Sequence, residues 1–302
     1  MPELPDVVVY VEALRARVVG QTLTRARLVS PFVLRSVLPP IAELEGTRVI
    51  DVRRLGKQIV FVFEGDRFLV VHLMIAGRFQ WRPPEKPLRG RIALASFEFP
   101  NGILFLTEAS SKKRASLHVV AGEAKLAAFD RGAVEVLDTT AGQFRDTLTR
   151  ENHTLKRALT DPRLFSGIGG AYSDEILHRA RLSPLQLTGK ITDEQTARLF
   201  DAARAILAEW TVRLRDQTGD QFPAKVTAFH PDMAVHGRFG KPCPVCGSPV
   251  RRIVYAANEC NYCATCQTGG KLLADRALSR LLKKDWPRSL DEWDAHLDAR
   301  RR

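Results

Sequence analysis

Four cysteines set the tightest limit on what this chain can fold into. Cys243, Cys246, Cys263 and Cys266 stand in the spacing C-x2-C-x16-C-x2-C. Two residues between cysteines let a tight turn aim both thiolates at one point, and two such turns complete a tetrahedron. The expectation is one structural zinc ion per chain, held by a small ribbon module over 231–270. Four thiolates leave no open position for a reacting water, so the metal is structural rather than catalytic. Cys260 falls outside the pattern and is expected to be a small core or loop residue. Val250 to Tyr255 (VRRIVY) reads as a strand between the knuckles. It would carry Arg251 and Arg252, which could meet phosphates or simply keep a ribbon edge soluble. Thiol pairs of this kind suit a reducing, cytoplasmic compartment better than a disulfide framework.

Charge narrows the partners. The 302 residues hold 46 Lys and Arg against 34 Asp and Glu, a formal net charge of +12. Such an excess concentrates phosphate polyanions near the surface and speeds encounter with them. Combined with a thiolate module, it favours nucleic acid over a membrane surface. No apolar run reaches the roughly 18 residues of a membrane-spanning helix. The start, with Glu3 and Asp6, lacks the basic leader and apolar stretch of a signal peptide.

The rest of the chain divides by pattern. Residues 1–125 are mixed, with strands in excess. Val8, Val11, Leu14 and Val18 recur at helical spacing just after Pro5-Asp6. Strand-like runs follow at Ile59–Phe63, Phe68–His72, Ala95–Phe99 and Ile103–Thr107, with turn signals at Glu64-Gly65-Asp66 and Pro100-Asn101-Gly102. These predict a β-sandwich with a flanking helix. Residues 126–230 turn helical. Ser173 to Ala180 begins with a capping serine, and Thr192 to Arg215 begins with a Thr-Asp-Glu-Gln capping box. The stretch 217–242 reads as a linker. Residues 271–302 read as a basic amphipathic helix, a break at Trp286-Pro287 and a polar tail. The fold class is α+β: sandwich, helical domain, zinc ribbon and basic tail.

The first residues carry chemistry. Removal of Met1 would expose the α-amine of Pro2, whose pKa of about 8 leaves a usable unprotonated fraction near neutrality. A secondary amine that attacks an aldehyde-like sugar carbon gives an iminium with no N–H to lose. Its charge acidifies the neighbouring C–H and promotes β-elimination of phosphate. Glu3, next in the chain, is placed for acid–base work. The tripeptide alone is weak and needs its context.

That context is present in chain order. Pro2-Glu3-Leu4-Pro5-Asp6-Val7, Arg53-Arg-Leu-Gly-Lys57, His72-Leu-Met-Ile-Ala-Gly77 and Leu155-Lys156 come first. Gly167-Ile-Gly169, Tyr172-Ser-Asp-Glu175 and the four cysteines with Gln267 follow. Together they resemble the formamidopyrimidine-DNA glycosylase and endonuclease VIII family. The resemblance implies a helix–two-turn–helix region within 126–230 and a bifunctional enzyme of base-excision repair, a DNA glycosylase with AP-lyase activity. It implies Pro2 as nucleophile, Glu3 as general acid and Lys57 as a phosphate contact that assists catalysis. It also implies a monomer acting on damaged double-stranded DNA, associated with a bacterial nucleoid, with base flipping and no membrane partner.

Several positions depart from the family pattern. Gly170 stands where the family carries asparagine, and Asn258 where the finger carries arginine. Ile75 takes the place of a methionine that fills the gap left by a flipped base. Lys112, Lys113 and Arg114 keep the charge of a family loop without its aromatic residue. Lys156 is the remaining candidate for a phosphate contact, and His72 is expected to be structural rather than a base. The competing reading is a non-catalytic binder of damaged or branched DNA on the same fold. A zinc-ribbon RNA-binding protein ranks below both, since only Tyr255 and Tyr262 supply aromatic surface near the finger.

Overall fold

A computed structural model describes residues 1–84, 92–223, 226–227, 229–255, 258–274, 287–293 and 295. The chain divides into two compact units, Met1–Ala133 with Glu209–Ala228, and Val134–Ala208 with Phe229–Arg302. This differs from the sequence-based boundaries: the cysteine module and the helical region form one unit, and 209–228 joins the N-terminal one.

The first unit opens with α1 (Leu4–Val18). Strands β1 (Arg25–Leu28), β2 (Val49–Leu55), β3 (Gln58–Phe63) and β4 (Arg67–His72) follow, then β5 (Gly77–Arg82), β6 (Ala93–Phe99), β7 (Gly102–Glu108) and β8 (Ser116–Ala121). They form two antiparallel four-stranded sheets, ordered β1-β6-β7-β5 and β2-β3-β4-β8. The four strands predicted from sequence, β3, β4, β6 and β7, are the inner strands of these sheets. The four unpredicted ones, apart from the family-like segment in β2, are the edges. The inner strands β3, β4 and β7 carry unbroken apolar runs, whereas the edges β1, β2 and β5 interleave charged residues.

Between the sheets lies a core that includes Ile59, Phe61, Leu69, Phe97 and Leu104. Helix α1 closes it with Val7, Tyr10, Val11, Leu14 and Val18. That face keeps the predicted Val11, Leu14 and Val18 and adds Val7 and Tyr10, while Val8 is only half-buried. The second sheet is buried on its outer face too, where Val60, Phe68 and Val70 pack with Leu126 of the short α2 (Glu123–Leu126). Two-sided burial explains the continuous run IVFVF in β3.

The second unit contains α3 (Ala141–Thr149), α4 (Leu155–Thr160), α5 (Gly170–Arg179) and the part of α6 (Asp193–Thr218) up to Ala208. The capping box predicted for α6 is present: the Thr192 amide donates to Gln195 Oε1, and the Gln195 amide to Thr192 Oγ1, each at 3.2 Å. Helix α5 starts three residues before the predicted serine cap, with Gly169 as its N-cap. Phe144, Phe165 and Phe200 cluster in the core, with ring centroids 4.8 and 5.3 Å from Phe144. The antiparallel pair β9 (Val250–Tyr255) and β10 (Asn258–Cys263) leads into α7 (Ala264–Thr268). The predicted tail helix and its proline break fall mostly outside the described residues. Among the described residues no helix is long and apolar enough to cross a membrane.

Candidate functional site

In the first unit, the strand registers gather the catalytic candidates at one end of the sandwich. Gln58 pairs with His72, and His72 with Ser116, so the turn holding Lys57 lies beside the start of β8. Gly77 pairs with Glu108, which brings the turn that carries Ile75 to the same end. The amino terminus lies there as well. Burial lowers its pKa; Glu3 and Asp6 oppose that shift, while Arg78 and Lys57 add to it. Met1 precedes Pro2 in this structure, and Pro2 and Glu3 are both buried.

Asp6, which the sequence offers as a capping acid ahead of the first helix, lies inside its first turn, and Arg78 is a residue that the sequence pattern does not single out. The Glu3 amide donates to Asp6 Oδ2 at 2.9 Å, which starts α1 at Leu4 rather than at Val7. Burial raises the Asp6 carboxyl to about 7, with the nearby Glu3 charge adding to the shift and the amide hydrogen bond opposing it. Arg78 donates to the carbonyls of Ile75 at 3.1 Å, Gly77 at 2.6 Å and Val226 at 2.5 Å. It thereby fastens the turn that exposes Ile75. The signal for Asp6 was the Glu-x-x-Asp spacing of a capping box; nothing local marked Arg78.

The remaining first-unit residues fall as follows. Ile75 is 56% exposed. Burial, then the charges of Lys57, Arg131 and His118, lower His72 to about 4. Lys112, Lys113 and Arg114 are exposed on a loop closed by the Glu108 carboxylate, which accepts from the amides of Arg114 at 2.8 Å and Ala115 at 3.1 Å. Lys113 also donates to the Glu108 carbonyl.

In the second unit, Lys156 lies elsewhere than expected. Rather than facing solvent, it is 5% exposed, and Nζ donates to the Gly170 carbonyl at 2.6 Å, Ser173 Oγ at 2.8 Å and Asp174 Oδ1 at 2.5 Å. All three ammonium protons have protein partners. Lys156 thus organises the first turn of α5 from within. Ser173 serves that network instead of capping the helix. Asp174 Oδ2 accepts from His236 Nδ1 at 2.8 Å and the Asn261 amide at 3.2 Å. Gly170 is the first residue of α5, and a Cβ built there meets nothing within 4 Å. Only the backbone of Asn258 is described, paired with Tyr255 at the start of β10.

The sulfurs of Cys243, Cys246, Cys263 and Cys266 lie within 4.8 Å of one another and could hold a metal ion. Sulfurs at about 2.3 Å from a tetrahedral centre would be about 3.8 Å apart; here Cys243 and Cys266 stand 3.9 Å apart, and Cys246 and Cys263 3.4 Å. The donor set fits. Around it, His178 Nε2 lies 3.3 Å from Cys243 Sγ. Gln267 accepts the Cys263 amide at 2.8 Å and donates to the Leu182 carbonyl at 2.9 Å. Cys260 is outside the cluster, in a small core with Ile253 and Tyr262, and burial pushes its thiol far up. The ribbon arginines have internal partners: Arg251 lies over Trp293, and Arg252 over Phe239 at 4.2 Å.

Comparison with known proteins settles the family. Residues 1–110 match the formamidopyrimidine-DNA glycosylase N-terminal domain, and 134–221 the formamidopyrimidine-DNA glycosylase H2TH domain. A formamidopyrimidine-DNA glycosylase of Thermus thermophilus is 36% identical over 280 residues, covering 89% of this chain and all of the relative. This chain belongs to the formamidopyrimidine-DNA glycosylase family. The crystal structure of MutM (Fpg) protein from Thermus thermophilus superposes with a TM-score of 0.72 at 32% identity, covering 88% of this chain and 98% of that one. A structure of MutM in complex with DNA containing carbocyclic 8-oxo-G shares the fold, with a TM-score of 0.79 at 23% identity, covering 88% of this chain and all of that one. The formamidopyrimidine-DNA glycosylase assignment accounts for the sandwich and the helix–two-turn–helix alike.

Proposed function

We propose that this chain is a DNA glycosylase of base-excision repair that also cleaves the strand at the resulting abasic site. The observation that carries the reading is the gathering of the amino terminus, Glu3 and Lys57 at one end of the sandwich in a member of this family. With Met1 removed, the Pro2 nitrogen attacks C1′ of the damaged nucleotide. The glycosidic bond breaks, the base leaves with the bonding pair, and it takes up the proton that the Pro2 nitrogen sheds on becoming tertiary. The sugar ring then opens as O4′ accepts a proton from Glu3, leaving a C1′ iminium. Its nitrogen has no proton to shed, so the charge is relieved by loss of C2′–H. The electron pair from that bond expels the 3′ phosphate, and water releases the sugar from Pro2. Pro2 is buried, and desolvation of an amine freed there would favour its unprotonated, nucleophilic form.

Lys57 supplies a cation to phosphate beside the nucleophile, and Lys112, Lys113 and Arg114 supply more. Ile75 fills the space that the flipped nucleotide leaves. Gly170 offers backbone N–H groups at the start of α5, and Asn258 lies on the ribbon. The four thiolates hold zinc, which would fix the ribbon without touching the reaction. A monomer working on damaged double-stranded DNA at a bacterial nucleoid fits this set.

The test is borohydride trapping on a duplex with one abasic site, after mass spectrometry confirms that the chain begins at Pro2. A covalent adduct that is lost when one residue is added before Pro2 is the expected result. Tight binding without an adduct would favour the non-catalytic damaged- or branched-DNA binder.

A further inference from the structure

The segment 29–38 presents an unusual surface. Val29 is 62% exposed, Phe32 80%, Val37 86% and Leu38 80%. Single exposed apolar residues are ordinary, but four within ten positions mark an interaction surface. The segment is firmly held. The amides of Val29 and Ser30 both donate to the Leu94 carbonyl, at 2.9 and 3.0 Å. The Arg35 amide donates to the Leu117 carbonyl at 2.8 Å, and Ser36 Oγ accepts from the Val119 amide at 2.8 Å. Val33 is buried at 3%. Phe32 is therefore displayed on a pinned turn, and the entropy of ordering it is already spent on folding.

Its place in the sandwich gives the surface a meaning. Leu34 bridges to Leu117, one residue from the Ser116 that pairs with His72. The Glu108 amide donates to the Ile92 carbonyl, two residues before Leu94. Phe32 thus stands at the end of the sandwich that carries Lys57, Ile75 and the 112–114 loop. Exposed cations accompany it: Arg35, Lys112, Lys113 and Arg114. An aromatic ring among cations suits a nucleic-acid base with its flanking phosphates. A second copy of this chain would bring like charges together around the same patch.

We propose that Phe32 is a further DNA-contact residue, packing its ring against an unstacked base beside the damaged nucleotide while Arg35 meets an adjacent phosphate. This rests on the reading that this end of the sandwich binds damaged DNA. The test uses the full chain with Phe32→Ala and Phe32→Trp. Affinity is measured by anisotropy for a duplex containing a tetrahydrofuran abasic analogue and for an undamaged duplex of equal length. Wild-type trapping on a natural abasic site runs in parallel.

Removal of a stacking aromatic is expected to weaken binding to the abasic duplex by roughly 5- to 100-fold. Phe32→Trp should stay within about threefold of wild type, and the salt slope should hold in both variants, since no phosphate contact is removed. Thermal stability should not move, because the ring is exposed. Phe32→Ala with wild-type affinity overturns the assignment while leaving the enzyme reading intact. A wild-type dimer that dissociates in Phe32→Ala shows a self-association surface and overturns it as well. A wild-type chain that neither binds the abasic duplex nor traps on it overturns the functional reading, and this inference with it.

Discussion

Lys156 Nζ stands 2.5 Å from Asp174 Oδ1, and the two side chains are 6% and 0% exposed. A pair so thoroughly removed from water holds only while both charges are present. Burial alone would raise the Asp174 carboxyl, but Lys156 and His236 outweigh it and hold the group below its ordinary range. Removing one partner strands the other, at a cost of about 3–5 kcal/mol. Lys156→Met is therefore expected to destabilise the second unit by that order in urea denaturation. In DNA binding it should leave the salt slope unchanged, whereas Lys112→Ala should lower it by about one. A Lys156→Met protein of normal stability with a reduced salt slope would return this lysine to the phosphate-contact role.

Asp6 gives the first unit a pH dependence of definite sign. Its carboxyl rises from 3.8 to about 7 on folding, chiefly through burial. The folded state binds the proton more tightly, so this contribution to stability is complete below about pH 4 and is lost as pH rises through 7. Asp6→Asn keeps an oxygen to accept the Glu3 amide and cannot ionise. The difference in stability between variant and wild type should shift in favour of the variant from pH 5 to pH 8. A constant difference across that range would mean that Asp6 is ionised in the folded chain.

The four thiols are tied to α5 as well as to one another. His178 reaches Cys243, Gln267 joins the Cys263 amide to the Leu182 carbonyl, and Glu175 accepts the amides of Ala234, Val235 and His236 at 2.7, 2.9 and 2.9 Å. Loss of the metal should therefore loosen more than the ribbon. For Cys263→Ser, one zinc per chain should disappear by atomic absorption. Amide exchange should rise in 234–236 and the C-terminal turn of α5, while β3 and β4 keep their protection. DNA affinity should fall with it. Unchanged affinity in a zinc-free protein would separate the ribbon from DNA binding.

What could be read in the sequence follows from how local each cause is. The runs Ile59–Phe63 and Ile103–Thr107 declare themselves because inner strands are apolar on successive residues. Arg25–Leu28 and Gly77–Arg82 do not, because an edge strand spends alternate positions on charge. The cysteine cluster was legible because its two turns are local and only their meeting is not. Lys156 was illegible as a buried residue. Its partners lie 18 positions away at Asp174 and, through that carboxylate, at His236. Phe32 was passed over for a related reason: exposure belongs to the folded surface, and an apolar residue in VSPFVLRSVL looks like core.

Two glycines make opposite demands, and substitution should separate them. A Cβ on Gly77 would lie 2.2 Å from the Leu73 carbonyl oxygen, a backbone atom that accepts the Gly77 amide at 2.9 Å. No side-chain rotation can relieve that clash, and Arg78 fastens the same turn. Gly77→Ala should cost on the order of 2–4 kcal/mol and weaken binding to an abasic duplex more than Ile75→Ala does, because the whole turn moves rather than one side chain. A Cβ on Gly170 meets nothing within 4 Å, so packing does not require glycine there. Gly170→Asn should fold with a thermal midpoint equal to or above that of wild type, since glycine is a poor helix former. If the start of α5 faces phosphate, the added amide should also tighten binding to duplex DNA several-fold. Equal stability with unchanged affinity would place this helix terminus away from the DNA backbone.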